Sequence, residues 1–304
     1  MSAAPAPRVL IVRGGWPGHE PVETGDVAAR ELRAAGAEVE IADTLDALAD
    51  EARLRALDLI VPVWTMGDTR TPLPRGTLAP LAAAVRAGTG IGGWHGGMCD
   101  AFRIEVEYQF MTGGQWVSHP GGDKARYRVR IGPAASPITA GLADFSVTSE
   151  QYYMHVDPGV TVLATTRFPR GAASGDGLDQ AAQDAADRDL VPVEETVVMP
   201  VTWTKRFGRG RVFYTSLGHV ARAFEVPEAL TMLRRRDHRA ADSSVGASWG
   251  TSKRCMRVAP MTTIPREPVD AARLSETVYG ASAGRPTPRR LPTTSISQYS
   301  GWRM

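Results

Sequence analysis

The chain of 304 residues has few cysteines, no long apolar run and no strong excess of one charge. Its two cysteines, Cys99 and Cys255, lie far apart, and this usage favours a reducing compartment over a disulfide framework. Because no run of 18 apolar residues occurs, we expect no membrane span. Residues 1–7 also lack the basic and apolar regions of a secretory signal. We therefore expect a cytoplasmic protein that contacts no membrane.

The small net charge of +2 conceals an uneven distribution along the chain. Residues 236–304 carry eleven Lys and Arg against five Asp and Glu, whereas residues 1–235 carry 24 basic and 28 acidic side chains. A basic surface built for nucleic acid would lie on the folded part of a protein, and that part is slightly acidic here. We therefore expect no nucleic-acid partner.

Strand and helix patterns alternate through the first hundred residues. Short apolar runs predict strands, and stretches of helical period between them end at Gly36 and Gly88. The predicted strands are Arg8–Arg13, Ala37–Ala42, Leu57–Trp64 and Thr89–Trp94, and a helix is predicted over Leu78–Ala87. Such alternation is typical of a doubly wound, flavodoxin-like α/β fold, with a mostly parallel sheet and helices on both faces.

Later strand patterns have few helices between them. They cover Arg126–Ile131, Phe145–Thr148, Val160–Thr166, Thr196–Trp203 and Arg211–Ser216. We expect some of these strands to extend the main sheet and others to form an antiparallel excursion. The stretch Gly171–Asp189 is small and polar, which favours a surface insertion.

Residues 236–304 differ in kind from the rest of the chain. They are rich in Ser, Thr, Arg and Pro, and their apolar residues follow neither a helical nor a strand period. Such a segment buries too little apolar surface to offset its ordering entropy. We divide the chain into a domain of residues 1–235 and a tail of residues 236–304, which is either disordered or an aberrant end.

Five of the six histidines lie in loops rich in Gly, Pro or aromatic residues: His19, His95, His119, His155 and His219. His19, His95 and His219 follow the first, the fourth and the last predicted strand. Ligands of open α/β sheets bind at the carboxyl ends of the strands, where imidazoles ligate metals, transfer protons or bond polar substrates. One such histidine is as often structural as functional, but five together indicate a site.

The sharpest local motif is Gly93-Trp94-His95-Gly96-Gly97, between a predicted strand and a helix. It has the form of a nucleophile elbow, in which a strained turn raises one side chain above the sheet. The raised residue is an imidazole, a poor acyl-transfer nucleophile but a good ligand or base. Cys99 lies four residues further on, and we interpret it as a packed thiol.

Several long motifs resemble the ThuA family, named for trehalose utilisation. They are residues 15–21 (GWPGHEP), 93–103 (GWHGGMCDAFR), 108–121 (YQFMTGGQWVSHPG), 137–142 (PITAGL), 149–158 (SEQYYMHVDP) and 208–219 (GRGRVFYTSLGH). The resemblance covers residues 8–235 and stops near Arg236. It implies a class I glutamine-amidotransferase-like fold and a role in disaccharide or keto-sugar catabolism.

The resemblance also implies a catalytic pairing. Amidotransferases of this superfamily pair an elbow cysteine with a histidine at the end of a late strand, and His219 matches that second position. Because His95 replaces the elbow cysteine, the thiolate of a glutaminase is absent. Two imidazoles facing each other suit a metal such as zinc, or acid–base work on a sugar.

The candidate site residues fall into three sets. We assign catalysis to His95, His219, Glu150 and Asp100, and substrate binding to Trp16, His19, Arg103, Gln109, Gln115, Trp116, Tyr152, Tyr153 and His155. Aromatic faces stack on sugar rings, while amides and charges bond their hydroxyls. If a metal is bound, His95, His119 and His219 are the expected ligands of a zinc ion. We expect no nucleotide cofactor.

Three functions remain open from the sequence. The first is an enzyme that acts on a trehalose-like disaccharide or a keto-sugar through a His-rich crevice, with a small sugar as partner. The second is a non-catalytic sugar- or metabolite-binding regulator. The third, a working glutaminase, is the weakest because no cysteine stands at the elbow apex. Self-association into a homo-oligomer is also open.

The composition of the tail generates a first prediction. Deleting residues 236–304 should leave a folded chain, because the apolar periodicity ends near Arg235. Urea unfolding followed by circular dichroism should give one cooperative transition for residues 1–235, at the midpoint of the full chain. A gradual transition in the shortened chain would show that the tail belongs to the core.

Overall fold

The computed structural model describes residues 5–65, 72–172 and 178–235. Within them the strands are β1 (Arg8–Gly15), β2 (Glu38–Ala42), β3 (Leu59–Thr65), β4 (Gly90–Trp94), β5 (Gly114–Ser118), β6 (Arg126–Ile131), β7 (Phe145–Thr148), β8 (Tyr153–Val156), β9 (Thr161–Pro169), β10 (Thr196–Phe207) and β11 (Gly210–Thr215). The helices are α1 (Pro21–Ala34), α2 (Glu51–Arg55), α3 (Leu78–Ala87), α4 (Val106–Thr112), α5 (Gln180–Asp187) and α6 (Pro227–Arg235). None of these helices is long and apolar enough to cross a bilayer.

Nine strands form one mixed sheet, in the order β2-β1-β3-β4-β11-β10-β9-β6-β7. The first five strands in this order, β2, β1, β3, β4 and β11, are parallel to one another. The other four, β10, β9, β6 and β7, extend the sheet, and each is antiparallel to its neighbour. Strands β5 and β8 form a separate antiparallel pair. The predicted doubly wound α/β fold is confirmed. All five of the later strands predicted from the sequence join the main sheet, and the separate antiparallel pair is formed by β5 and β8, which were not among them.

Alternate residues of the central strands pack on opposite faces of the sheet. In β1, Val9 and Ile11 join a buried cluster with Leu32 of α1, whereas Leu10 belongs to a second cluster that includes Leu81 of α3. The side chains of an extended strand alternate in direction, so a run that is apolar at every position needs cover on both faces. The continuous apolar run in β1 therefore dictates a layer of helix on each side.

The strand directions bring four loops to the same edge of the sheet. Strands β1, β4 and β11 are parallel, so their carboxyl ends meet there. Four successive antiparallel pairings separate β11 from β7, and an even number restores the same direction. The loops that follow β1, β4, β7 and β11 therefore open towards the same side.

The structure corrects the expectation of a surface insertion over Gly171–Asp189. Helix α5 occupies Gln180–Asp187, with Gln183 and Ala186 buried. Asp179 caps this helix by accepting from the backbone N–H groups of Ala181 and Ala182, and Gln183 Nε2 donates to the Arg167 carbonyl at 2.8 Å. A helix that buries one amide and one small residue has too weak an apolar period to be recognised in sequence. Residues 173–177 and the predicted tail, 236–304, lie outside the described residues.

The turn after β4 has the strained geometry that the elbow motif predicts. His95 has φ 42° and ψ −122°, a backbone conformation that costs a non-glycine residue about 1–3 kcal/mol. A five-residue π-helical turn, Gly96–Asp100, follows directly. A Cβ added to Gly97 would overlap the Pro62 carbonyl oxygen and stand 2.9 Å from Val63 Cα. Glycine is therefore required where this turn passes β3.

The crowding at Gly97 generates a second prediction. Gly97→Ala should lower the free energy of unfolding by about 1–3 kcal/mol, because the new methyl group meets rigid backbone. Gly92→Ala is the matched control, since its methyl group would contact Phe213 Cβ at an ordinary 3.5 Å. Urea unfolding of both variants measures the difference. Equal stabilities would contradict the close approach of the turn to β3.

Candidate functional site

Four side chains from distant parts of the sequence converge at the carboxyl edge of the sheet. One potential ligand atom from each of His19, His95, Glu150 and His219 lies within 4.8 Å of the others. We call these residues the quartet. They follow β1, β4, β7 and β11, whose carboxyl ends lie at the same edge of the sheet. The strand order thus brings together residues as far as 200 positions apart.

His95 occupies the centre of the quartet and is held through both ring nitrogens. Its Nδ1 lies 2.9 Å from the Ser216 carbonyl oxygen, and its Nε2 lies 3.0 Å from Glu150 Oε2. A carbonyl only accepts, so Nδ1 donates to Ser216. Nε2 can then satisfy the carboxylate only by carrying a proton or by sharing a cation with it. Tyr152 stacks on the ring, with 4.1 Å between centroids.

His19 forms the wall of the quartet nearest to β3. Its Nδ1 lies 2.8 Å from Thr65 Oγ1, and the backbone N–H of Trp16 donates to the Thr65 carbonyl at 2.8 Å. The ring of Trp16 meets that of His19 edge-on at 4.8 Å, and Trp16 is itself 45% exposed. An indole face is thus available to a ligand beside a buried imidazole.

His219 closes the quartet from the segment after β11. Its ring centroid lies 5.1 Å from those of both His19 and His95, and its Nε2 lies 3.5 Å from Glu150 Oε1. Gly218 has φ +116° and lies so close to Trp94 that a Cβ would clash with the indole. This tight turn directs the chain back across the end of β4.

The electrostatics of the quartet combine one ionised carboxylate with two imidazoles, His19 and His219, whose pKa values are lowered. Burial alone would raise the pKa of Glu150, but the hydrogen bond with His95 and the nearby histidines lower it to about 2. Burial, reinforced by His95 and His219, lowers the pKa of His19 to about 2. Burial is also the main cause of the lowered pKa of His219. Deprotonated carboxylates and neutral imidazoles are the forms that ligate metals.

His119 lies at the rim of the site, outside the quartet. Its side chain is 39% exposed, and its Nε2 is 3.8 Å from Glu150 Oε1. Two of the three metal ligands predicted from the sequence, His95 and His219, belong to the quartet. The third, His119, does not, and the other two members are His19 and Glu150. Spacing in sequence carried no signal for this difference, because each histidine comes from a separate loop.

Buried Asp100 and half-buried Arg103 form an ion pair beside the small sheet. Arg103 Nε donates to Asp100 Oδ1 at 2.6 Å, and the guanidinium lies 3.8 Å from the ring centroid of Trp116. Burial raises the pKa of Asp100, although the charge of Arg103 opposes this. Each charged group already has its partner, so together they position Trp116 near the site.

The remaining predicted substrate residues have other surroundings. Gln109 Nε2 donates to the Ala101 and Phe102 carbonyls at 3.0 and 3.3 Å. Tyr153 packs on Phe168, with 5.5 Å between ring centroids. His155 is exposed and pairs with Gln115 across β5 and β8. Tyr152 and Tyr153 differ because neighbouring residues of an extended chain point in opposite directions.

Two partners of the quartet carried no functional signal in the sequence. Thr65 contributes a hydroxyl to His19, and Ser216 contributes only its backbone carbonyl to His95. A carbonyl has no residue-type signature, so Ser216 is not recognisable from sequence. Thr65 is recognisable only as the polar last residue of the apolar strand β3.

Cys99 is fully buried beneath the elbow, in the main apolar cluster. Burial is the chief cause of its raised pKa, and it contacts the side chains of Thr112 and Tyr214. The apex residue is His95, so no thiolate faces the crevice at the elbow. The interpretation of Cys99 as a packed thiol agrees with this position.

The mixed sheet and the strained elbow define a doubly wound α/β protein with a ThuA-like fold. The family model for ThuA, described as trehalose utilisation, matches residues 8–235. The chain belongs to the ThuA family, which confirms the resemblance seen in its motifs. This membership supports a role in trehalose utilisation in general.

Solved structures with the same fold include two ThuA-like proteins. The protein from Parabacteroides merdae is 17% identical with a TM-score of 0.57, and the match covers 80% of this chain and 93% of that one. The protein from Bacteroides uniformis has the same identity, TM-score and coverage of this chain, and 95% of its own length is covered. A cytoplasmic protein from Salmonella typhimurium LT2 is 11% identical with a TM-score of 0.52, over 76% of this chain and 98% of that one. These likenesses show the fold alone, and no curated protein matches the chain.

The burial of Cys99 generates a third prediction. In a Cys255→Ser chain, Cys99 is the sole cysteine, and iodoacetamide should not modify it in the folded protein at about pH 8. The thiolate is the reactive form, and burial suppresses both its formation and its access. Mass spectrometry should find full alkylation in denaturant only. Stoichiometric modification of the folded chain would revive a thiol mechanism.

Proposed function

We propose that this chain is an enzyme of trehalose, disaccharide or keto-sugar utilisation, acting through a divalent metal held by the quartet. The observation that carries the proposal is the convergence of His19, His95, Glu150 and His219 within 4.8 Å. Three imidazoles and one carboxylate are a donor set suited to zinc among the divalent ions. The sugar substrate class comes from the family, and the metal from the quartet.

The surroundings of His95 support a ligand role. Metal-binding histidines typically donate the second ring N–H to a carbonyl or carboxylate, which fixes the tautomer and the ring orientation. His95 Nδ1 makes that bond to Ser216, so Nε2 is left facing Glu150. His19 has an analogous outer partner in Thr65. A cation between Glu150 and Nε2 would resolve the pairing of a carboxylate with an imidazole lone pair.

The chain's own residues supply binding and proton transfer. Trp16 offers an exposed indole face to the apolar side of a sugar ring. Glu150 is ionised and lies 3.0, 3.8 and 3.5 Å from the Nε2 atoms of His95, His119 and His219, so it would serve either as a metal ligand or as the acceptor of a proton from a sugar hydroxyl. A bound divalent ion would polarise a hydroxyl or carbonyl oxygen of the sugar. We assign Asp100 a positioning role through Arg103 and Trp116.

The metal proposal generates a fourth prediction. His95→Ala and His219→Ala should each weaken zinc binding by at least about 100-fold, more than the loss of an outer partner costs. His155→Ala is the matched control, because His155 is exposed and outside the quartet. Competition with a chromophoric chelator measures affinity, and elemental analysis of the purified protein identifies the resident metal.

The same experiment separates the two ligand sets. His119→Ala should bind zinc as the unchanged chain does, whereas His19→Ala should lose affinity. The reverse order would restore the set His95, His119 and His219. If the chain binds no divalent metal and His95→Ala still abolishes turnover, the remaining mechanism is acid–base catalysis without a metal. Bound metal and bound sugar without turnover would favour the regulator.

A further inference from the structure

A cavity of about 360 Å³ opens beside the quartet. Its walls come from the loop after β11, the end of β7 and the turn that precedes β6, and they include His219, Ser149 and Asp123. This volume lies within the range of small-molecule sites, which is about 300–1,000 Å³. None of the functions assigned above uses this space.

The cavity adjoins the quartet at His219. His219 belongs to both, and Ser149, in the opposite wall, directly precedes Glu150. Asp123 lies close enough for its charge to act on His219. A ligand bound at the quartet would therefore lie next to the cavity, with His219 between the two.

Three charged side chains of the wall are exposed to solvent. Asp123, Arg222 and Glu225 make no ion pair or side-chain hydrogen bond with any other residue in the described ranges. Charged groups that line a concave site and lack internal partners are available to a ligand. Carboxylates accept from hydroxyls, and a guanidinium donates to them. The pattern favours a ligand with many hydroxyl groups.

Apolar side chains form the other part of the wall, with Val147 and Leu217 buried and Val226 half-buried. Apolar surface opposite polar groups suits a sugar ring, which has a C–H face and a hydroxyl rim. Two carboxylates against one guanidinium leave a formal charge of −1, and Glu150 adds another. Like charges repel, so this environment disfavours a phosphorylated ring.

We propose that the cavity is a second subsite that holds the other ring of an unphosphorylated disaccharide whose first ring lies at the quartet. The proposal rests on the sugar-directed function proposed above and deepens it. It gives the chain a preference for disaccharides over monosaccharides, and for neutral over phosphorylated ones.

The test measures the binding of three probes by calorimetry: glucose, trehalose and trehalose 6-phosphate. The full chain should bind trehalose at least about tenfold more tightly than either of the others, since the second ring adds contacts equal to about 1.4 kcal/mol or more. Ala223→Trp fills the cavity from its own wall. It should remove the advantage of trehalose and leave glucose binding unchanged.

Two variants control for damage to the fold. Ala181→Trp places the same side chain at an exposed position of α5 and should bind all three probes as the unchanged chain does. Glu225→Gln alters only one wall group, and it should weaken trehalose several-fold without changing glucose or the unfolding midpoint. This second variant keeps the test decisive if Ala223→Trp does not fold.

Each outcome decides a different claim. If trehalose binds equally well to the unchanged chain, Ala223→Trp and Glu225→Gln, the subsite is wrong while the sugar-binding function stands. Tighter binding of trehalose 6-phosphate would overturn the preference for a neutral ring. If none of the probes binds the full chain, the sugar-directed function fails, and the subsite fails with it.

Discussion

The site depends on one backbone constraint, the forced turn between β4 and the residues that follow it. His95 adopts φ 42° there, and the chain can pass β3 because Gly97 has no side chain to strike Pro62. The strain raises His95 above the sheet, where Ser216 and Glu150 hold its two nitrogens at 2.9 and 3.0 Å. A relaxed turn would direct the imidazole elsewhere, and the other three members would surround an empty centre.

The sequence was sufficient for the parts of the fold with strong, repeated signals. The apolar runs of β1, β3 and β4 and the helical period of α3 predicted those elements to within about two residues. The elbow was also predictable, since glycine is demanded on both sides of a raised residue. The backbone is crowded at this turn and therefore requires glycine, and that requirement is visible in a motif of five residues.

Other features were not predictable because they depend on partners remote in sequence. Strands β5 and β8 pair with each other although residues 119–152 lie between them. Because no short turn connects them, no turn motif in the sequence predicts this pair. Helix α5 buries Gln183 through a bond to Arg167, not through an apolar stripe. The sequence also did not indicate that His19, and not His119, belongs to the quartet. Both histidines lie in loops, and only the order of the strands in the sheet distinguishes their positions.

The pairing of β4 with β11 also governs when the site can exist during synthesis. About 115 residues separate the end of β4 from the start of β11, so a ribosome adding about 5–20 residues per second needs roughly 6–23 s to supply the missing neighbour. Until then β4 presents an unpaired edge, which in any sheet invites contact with other chains. The emerging chain carries His19 and His95 through this interval with neither the Ser216 carbonyl nor His219. The ligand site is therefore complete only after β11 has been synthesised and has paired with β4.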